Sequence, residues 1–153
     1  MSPKNRIHGA KPGLAKTKVK SRVLIVEDNT PLRELMADVL ALEGCTVTEA
    51  FDAPSMRSWM RIKGQEAYPD EPFDLIITDI QMPGETGLSS LERLRRKGCA
   101  IPAVVVTAFP ELATEKQVSK LDATLLPKPF SLDDLRYVAG AALRPSSRAQ
   151  CSQ

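Results

Sequence analysis

Five short apolar runs recur along the middle of the chain, and a stretch with helical periodicity separates each run from the next. Except for the second, which is weaker, the runs are rich in Val, Ile or Leu without strict alternation, which is typical of strands buried on both faces of a parallel sheet. The predicted strands are residues 22–26, 45–49, 73–78, 103–107 and 123–126. This pattern predicts an α/β fold.

Helix signals fill the gaps between the runs. Thr30 and Pro31 make a good helix start, because a hydroxyl can cap and proline suits the first position, and Gly44 is a natural stop. Asp52 is expected to cap the second helix, and Ser131 opens the fifth with a capping-box pattern. Leu88, Leu91 and Leu94 mark the third helix, which ends in Arg-Arg-Lys-Gly at 95–98, and the fourth is predicted around 111–120. Right-handed crossovers then give a doubly wound, five-stranded parallel sheet with five helices on its two faces.

Charge divides the chain into an arm and a body. Residues 1–22 hold seven of the 21 Lys and Arg residues and no acid, so the rest has 14 basic against 19 acidic residues. We predict a basic, disordered arm over 1–20, a folded domain over 21–144 and a polar tail over 145–153. A solubilising leader is the simplest role for the arm, and an anionic partner is the alternative.

Composition and hydropathy exclude several classes of protein. The single histidine, His8, falls in the arm, and the three cysteines form no CxxC pair. Histidine-based catalysis inside the domain, a zinc site and a disulfide framework are therefore not expected. No stretch approaches the roughly 18 apolar residues of a membrane helix, and no secretory signal is visible, so we expect no membrane span and a cytoplasmic location.

Polar residues stand where four of the predicted strands end. Glu27 and Asp28 follow the first strand, Asp79 the third, Thr107 ends the fourth and Lys128 follows the fifth. Ligands of such sheets bind at the carboxyl ends of the strands, which lie about 4.8 Å apart, so we expect these groups to meet. Converging carboxylates repel one another unless a cation such as Mg²⁺ is present. With a lysine beside them they predict phosphoryl transfer, with Asp79 as the nucleophile.

The motifs that carry these residues resemble the receiver domain of two-component response regulators. They are Val-Leu-Ile-Val-Glu-Asp-Asn at 23–29, Leu-Ile-Ile-Thr-Asp-Ile-Gln-Met-Pro-Gly at 75–84, Val-Val-Val-Thr-Ala at 104–108 and Pro-Lys-Pro-Phe at 127–130. They stand in the family's order over about 21–143. The resemblance implies the flavodoxin-like strand order 2-1-3-4-5 and a stand-alone, chemotaxis-regulator-like receiver.

The resemblance also implies a role for each matching position. Asp79 looks like the phospho-acceptor, supplied by a sensor histidine kinase or a histidine phosphotransfer protein. The groups implied to contact the phosphoryl group are the side chains of Lys128 and Thr107 and the backbone amide of Ala108. The implied ligands of Mg²⁺, or of Mn²⁺, are Asp28, Asp79, Glu27 through a water, and the backbone carbonyl of Gln81. Lys128–Pro129 is expected to be a cis peptide bond.

One departure from the family pattern concerns the conformational switch. The family's switch pairs the hydroxyl at Thr107 with a Tyr or Phe three residues before the lysine, and this chain has Leu125 there. The aromatic half of the switch is therefore expected to be missing.

The leading hypothesis is a single-domain response regulator, a phospho-accepting switch that assists its own phosphotransfer and dephosphorylation. Too few residues follow Leu143 for a DNA-binding domain, so we expect output through a downstream protein target, and a homodimer through the fourth and fifth helices is a further expectation. One alternative is a phosphorelay shuttle to a histidine phosphotransfer protein. Another is an aspartyl-phosphate phosphohydrolase, which Gln81 disfavours because such enzymes commonly carry an acid there. A third is an interaction module that is not phosphorylated.

Overall fold

A computed structural model of the protein describes residues 20–60 and 72–144, in which five strands alternate with five helices. The strands are β1 (Arg22–Val26), β2 (Thr46–Ala50), β3 (Leu75–Asp79), β4 (Ala103–Thr107) and β5 (Ala123–Pro127). The helices are α1 (Thr30–Leu42), α2 (Ala53–Met60), α3 (Gly87–Arg96), α4 (Leu112–Lys120) and α5 (Leu132–Ala142). Apart from Lys20, the predicted arm and tail lie outside the described residues.

All five strands are parallel and lie in the order β2-β1-β3-β4-β5, which confirms the predicted α/β architecture. Alternate residues of a strand face opposite sides of the sheet. In β1, Val23 and Ile25 pack with α1 and α5, whereas Leu24 and Val26 pack with residues of α2 and α3. The helix α4 joins α3 in a third apolar cluster on the α2 side. Burial on both faces explains the continuous apolar runs of β1, β3 and β4, whereas the edge strands β2 and β5 are partly exposed.

Two strands begin later than predicted. β2 runs from Thr46 rather than from Cys45, whose amide donates to the carbonyl of Leu40 and so still belongs to the end of α1. β3 begins at Leu75 rather than at Phe73 and extends through Asp79, which is paired in register with Val106 of β4. The sequence pattern located both strands but not these ends, because the backbone hydrogen bonds that define them join distant segments.

The cap of α1 is Asn29 and not Thr30. The Oδ1 atom of Asn29 accepts from the amide of Leu32 at 3.0 Å, and its carbonyl accepts the first helical hydrogen bond from Arg33. Thr30 is therefore already inside the helix. The other predicted caps are confirmed. Asp52 accepts from the amide of Ser55 at 2.8 Å, and a capping box joins Ser131 and Asp134 at α5.

Within residues 20–60 and 72–144, none of the helices combines the length and the apolar character needed to cross a bilayer.

Candidate functional site

Charged side chains meet at the carboxyl edge of the sheet. Glu27 follows β1, Asp79 ends β3 and Lys128 follows β5, so two interior strands and an edge strand each contribute one. The Nζ atom of Lys128 donates to Oε1 of Glu27 at 2.9 Å and to Oδ2 of Asp79 at 3.0 Å. Glu27 and Asp79 are 2% and 6% exposed. One ammonium group therefore bridges two buried carboxylates whose positions are far apart in the sequence.

The loop after β5 aims Lys128 into this site. Its backbone amide donates to the carbonyl of Thr107 at 2.7 Å, which ties the loop to the end of β4. The Lys128–Pro129 peptide bond is cis, as predicted. Proline is the residue at which a cis bond is readily adopted.

Electrostatics at the bridge follow from burial and from charge pairing. Burial raises the pKa of Glu27 from 4.5 to about 7, with a further contribution from the nearby Asp79 charge, although the hydrogen bond from Lys128 opposes the rise. Burial by itself would lower the pKa of Lys128, but its hydrogen bonds to Glu27 and Asp79 outweigh burial and the pKa is raised. Lys128 therefore stays protonated, whereas the carboxyl group of Glu27 gains or loses its proton near neutral pH.

The acidic side chains fit a divalent cation. One carboxylate oxygen from each of Glu27, Asp28 and Asp79 lies within 4.8 Å of the others, and Asp28 is exposed. Two oxygens that are each about 2.1 Å from one Mg²⁺ can be at most about 4.2 Å apart. The three carboxylate oxygens would therefore need to move only slightly closer together to bind one ion. Gln81 borders the same space, and its backbone amide donates to Oδ1 of Asp79 at 3.1 Å. Few carboxylates with room for water is the environment that Mg²⁺ prefers in proteins.

These groups surround an open cleft of about 470 Å³. The residues that line the cleft are Glu27, Asp28, Asn29, Asp79, Gln81, Ala108 and Lys128. Its size admits a phosphoryl group together with a hydrated cation. The sequence predicts five of the seven as carboxylate, ammonium or phosphoryl-contacting positions, and it predicts Gln81 for its backbone carbonyl.

Thr107 and Leu125 do not line the cleft. Thr107 is 1% exposed, and its hydroxyl accepts from the amide of Phe109 at 3.0 Å. Leu125 is half-buried in the third apolar cluster, against residues of α3, α4 and β4. The predicted switch pair therefore consists of a buried hydroxyl and a half-buried aliphatic side chain.

Sequence reasoning missed two residues that shape the site. The guanidinium group of Arg33 donates to the carbonyl of Glu27 at 3.0 Å and pairs with Glu49 at 3.1 Å, so it fixes the carboxyl ends of β1 and β2. A Cβ atom built on Gly87 would lie 1.9 Å from the carbonyl oxygen of Asp79, so α3 starts directly against the backbone of the site. A glycine at the start of a predicted helix was the signal available for the second residue.

A doubly wound sheet of this order, with an acidic cleft and one lysine at its carboxyl edge, defines a receiver-type α/β domain. The family model of the response regulator receiver domain matches residues 23–139, and the chain belongs to that family. The receiver domain is a signalling switch.

Relatives and solved structures agree with this assignment. The chain is 34% identical over 129 residues to the alkaline phosphatase synthesis transcriptional regulatory protein SphR of Synechococcus elongatus, covering 82% of the chain and 50% of SphR. It is 32% identical to the transcriptional regulatory protein TctD of Salmonella typhimurium, covering 82% and 53%. The non-phosphorylated HemR receiver domain from Leptospira biflexa matches with a TM-score of 0.71 and 25% identity, covering 82% and 98%. The chain thus spans about half the length of SphR and of TctD.

Proposed function

We propose that the protein is a response regulator that accepts a phosphoryl group on Asp79 from a phosphohistidine of a sensor histidine kinase or a histidine phosphotransfer protein. The observation that carries the proposal is the Asp79 carboxylate at the cleft, 3.0 Å from the ammonium of Lys128 and within 4.8 Å of two other carboxylate oxygens. A nucleophilic carboxylate, a cation to neutralise the transferred oxygens and a metal-binding set are what phosphoryl transfer requires.

The proposed step exchanges one bond to phosphorus for another. A carboxylate oxygen of Asp79 attacks the phosphorus in line, the P–N bond to the donor imidazole breaks, and the electron pair goes to the imidazole nitrogen. Lys128 then pairs with an oxygen of the phosphoryl group on Asp79. The hydroxyl of Thr107 now accepts a hydrogen bond from the amide of Phe109. In the proposed step this hydroxyl leaves the Phe109 amide and donates to the phosphoryl group, and the backbone amide of Ala108 donates to the same group.

Asp28, Asp79, the Gln81 carbonyl and, through water, Glu27 would hold Mg²⁺ or Mn²⁺. The bound cation would neutralise charge on the phosphoryl oxygens during transfer. Glu27 is suited to an indirect role because its carboxylate already pairs with Lys128 at 2.9 Å.

Output through a downstream protein is part of the same proposal, as is a cytoplasmic location. Three exposed apolar side chains lie on or next to the helices that flank the edge strand β5. They are Phe109, Leu112 and Tyr137, with exposures of 60%, 66% and 73%. This surface would serve a target protein, a homodimer, or a histidine phosphotransfer protein if the domain acts as a shuttle.

The test is phosphorylation by phosphoramidate, a small P–N donor, in the presence of Mg²⁺. Intact-mass measurement is expected to show one base-labile phosphoryl group on the wild-type protein and none on Asp79→Asn. The matched control is Asp38→Asn, the same exchange on the exposed side of α1, and this variant is expected to be labelled like the wild type.

Two results would contradict the proposal. If the wild-type protein stays unmodified, the remaining candidate is an interaction module that is not phosphorylated. If label persists in Asp79→Asn, the phosphoryl acceptor is a different residue. Release of many equivalents of phosphate per protein would instead favour the aspartyl-phosphate phosphohydrolase.

A further inference from the structure

The link between β1 and α1 carries two of the three acidic side chains of the cleft. It consists of Glu27, Asp28 and Asn29. Asp28 is exposed, and within the described part of the chain its carboxylate makes no hydrogen bond or ion pair. The position of this carboxylate is therefore set by the backbone on either side of it.

Arg33 holds the backbone on both sides of Asp28. The Nη1 atom of its guanidinium group donates to the carbonyl of Glu27 at 3.0 Å, and its backbone amide donates to the carbonyl of Asn29 at 2.9 Å. The amide of Glu27 in turn donates to the carbonyl of Ala50 at 3.0 Å. The backbone of the link is thus tied to the end of β2 and to the first turn of α1.

The guanidinium group of Arg33 is itself held by the edge strand. Its Nε atom donates to Oε1 of Glu49 in β2 at 3.1 Å, and the side chain of Arg33 is only 14% exposed. A guanidinium group presents its donors in a rigid fork, so Nε and Nη1 can serve two acceptors at fixed angles. The single nitrogen of a lysine cannot reproduce that geometry, although it carries the same charge.

We propose that Arg33 is a positioning residue for the divalent cation, because it holds the link so that the carboxylates of Glu27 and Asp28 can meet Asp79 around one ion. This inference rests on the proposed function, which requires a cation at the acidic set. Charge alone predicts the opposite effect for the same residue. A positive charge beside a cation site repels the ion, so removing the charge of Arg33 would then strengthen Mg²⁺ binding.

The first test measures the Kd of Mg²⁺ by isothermal titration calorimetry on the full chain. Arg33→Met is expected to raise the Kd by about tenfold, although the variant removes a positive charge, because residues that orient metal ligands have effects of this size. Arg33→Lys is expected to raise the Kd as well, although it keeps the charge. The lysine variant carries the test if Arg33→Met does not fold.

Labelling by phosphoramidate at increasing Mg²⁺ concentration gives a second measurement. Arg33→Met should raise the Mg²⁺ concentration for half-maximal labelling by the same factor as the Kd. The maximal rate should stay within about twofold of the wild-type rate, because Arg33 acts on binding of the ion and touches no reacting atom. A general loss of structure would lower the maximal rate instead.

Arg136→Met is the matched control. Arg136 likewise joins two elements by an ion pair, at 3.0 Å from Glu43, but it does not border the cleft. Its Kd for Mg²⁺ should equal that of the wild type.

Several results would overturn the proposal. They are a wild type that binds no Mg²⁺, an Arg33→Met variant that binds it as tightly as the wild type or more tightly, an Arg33→Lys variant equal to the wild type, and an Arg136→Met variant weakened as much as Arg33→Met. A fall in the maximal labelling rate without a shift of the half-maximal concentration would also overturn it. A wild type that binds Mg²⁺ but is never labelled would refute the proposed function alone, so the two failures are distinguishable.

Discussion

Glu27 is a buried carboxylate whose charge is compensated at close range only in part. Lys128 lies 2.9 Å from it, but the same ammonium also serves Asp79, so two buried negative charges share one positive charge. Burial and the neighbouring Asp79 charge together keep the pKa of Glu27 near 7. In the absence of a metal ion, ionising Glu27 therefore costs stability.

The exchange Glu27→Gln is expected to stabilise the metal-free protein above neutral pH. The folded state of the wild type binds the Glu27 proton up to pH about 7, whereas the unfolded chain releases it near 4.5. This contribution to stability is therefore fully present below pH 4.5 and is lost as the pH rises through 7. Urea unfolding in a chelator should show the variant equal to the wild type near pH 4.5 and more stable at pH 8, by up to about 3 kcal/mol.

Glu34→Gln, on the exposed side of α1, is the control and should change stability by no more than about 0.5 kcal/mol at either pH. If Glu27→Gln and the wild type lose stability in parallel between pH 4.5 and 8, the carboxylate of Glu27 does not carry this cost.

At the scale of elements, the start of α3 is fixed by its contact with β3. The amide of Gly87 donates to the carbonyl of Ile80 at 3.0 Å. A Cβ atom on Gly87 would lie 1.9 Å from the Asp79 carbonyl oxygen and 2.7 Å from Oγ1 of Thr78. Only a residue without a side chain lets the helix approach β3 this closely.

Gly87→Ala and Gly140→Ala should therefore change stability in opposite directions. The first forces α3 away from the backbone of β3 and is expected to lower the free energy of unfolding by about 2 kcal/mol or more. The second adds a Cβ atom to an exposed position inside α5 with nothing within 4 Å, and is expected to raise it by about 0.5–1 kcal/mol. Urea denaturation measures both, and similar changes in the two variants would contradict the proposed contact.

Helix patterns in the sequence predicted which elements exist better than where they begin. Ser131 and Asp52 act as caps because each side chain reaches an amide three residues ahead, which is local geometry that spacing reveals. At the start of α1, two adjacent residues have side chains that could cap the helix. The path of the backbone after β1 places Asn29 at the N-cap position. Spacing alone could not distinguish Asn29 from Thr30.

At the scale of the whole molecule, the acidic set exists only when the sheet is assembled, because β1 and β3 bring its members together. Mg²⁺ should therefore bind the folded chain and stabilise it, by about 2.7 kcal/mol at a free concentration of a hundred times the Kd. Thermal unfolding against Mg²⁺ concentration measures the effect. It should grow as the pH rises through about 7, since Glu27 then carries its charge.

Asp28→Asn removes one carboxylate of the set and should abolish most of this stabilisation, whereas Asp38→Asn, outside the set, should retain it. Equal stabilisation of the two variants by Mg²⁺ would mean that the ion binds elsewhere.

The sequence by itself determined the α/β architecture and the candidate cleft. Buried parallel strands leave continuous apolar runs, and residues directly after such runs must emerge at one edge of the sheet, so Glu27, Asp79 and Lys128 could be grouped without coordinates. Only the tertiary structure decided that Lys128 bridges two carboxylates, that Gly87 lies against Asp79, and that Arg33 holds the carbonyl of Glu27. These features depend on distances between side chains that are remote in sequence, and periodicity carries information only about neighbours within a strand or a few helical turns.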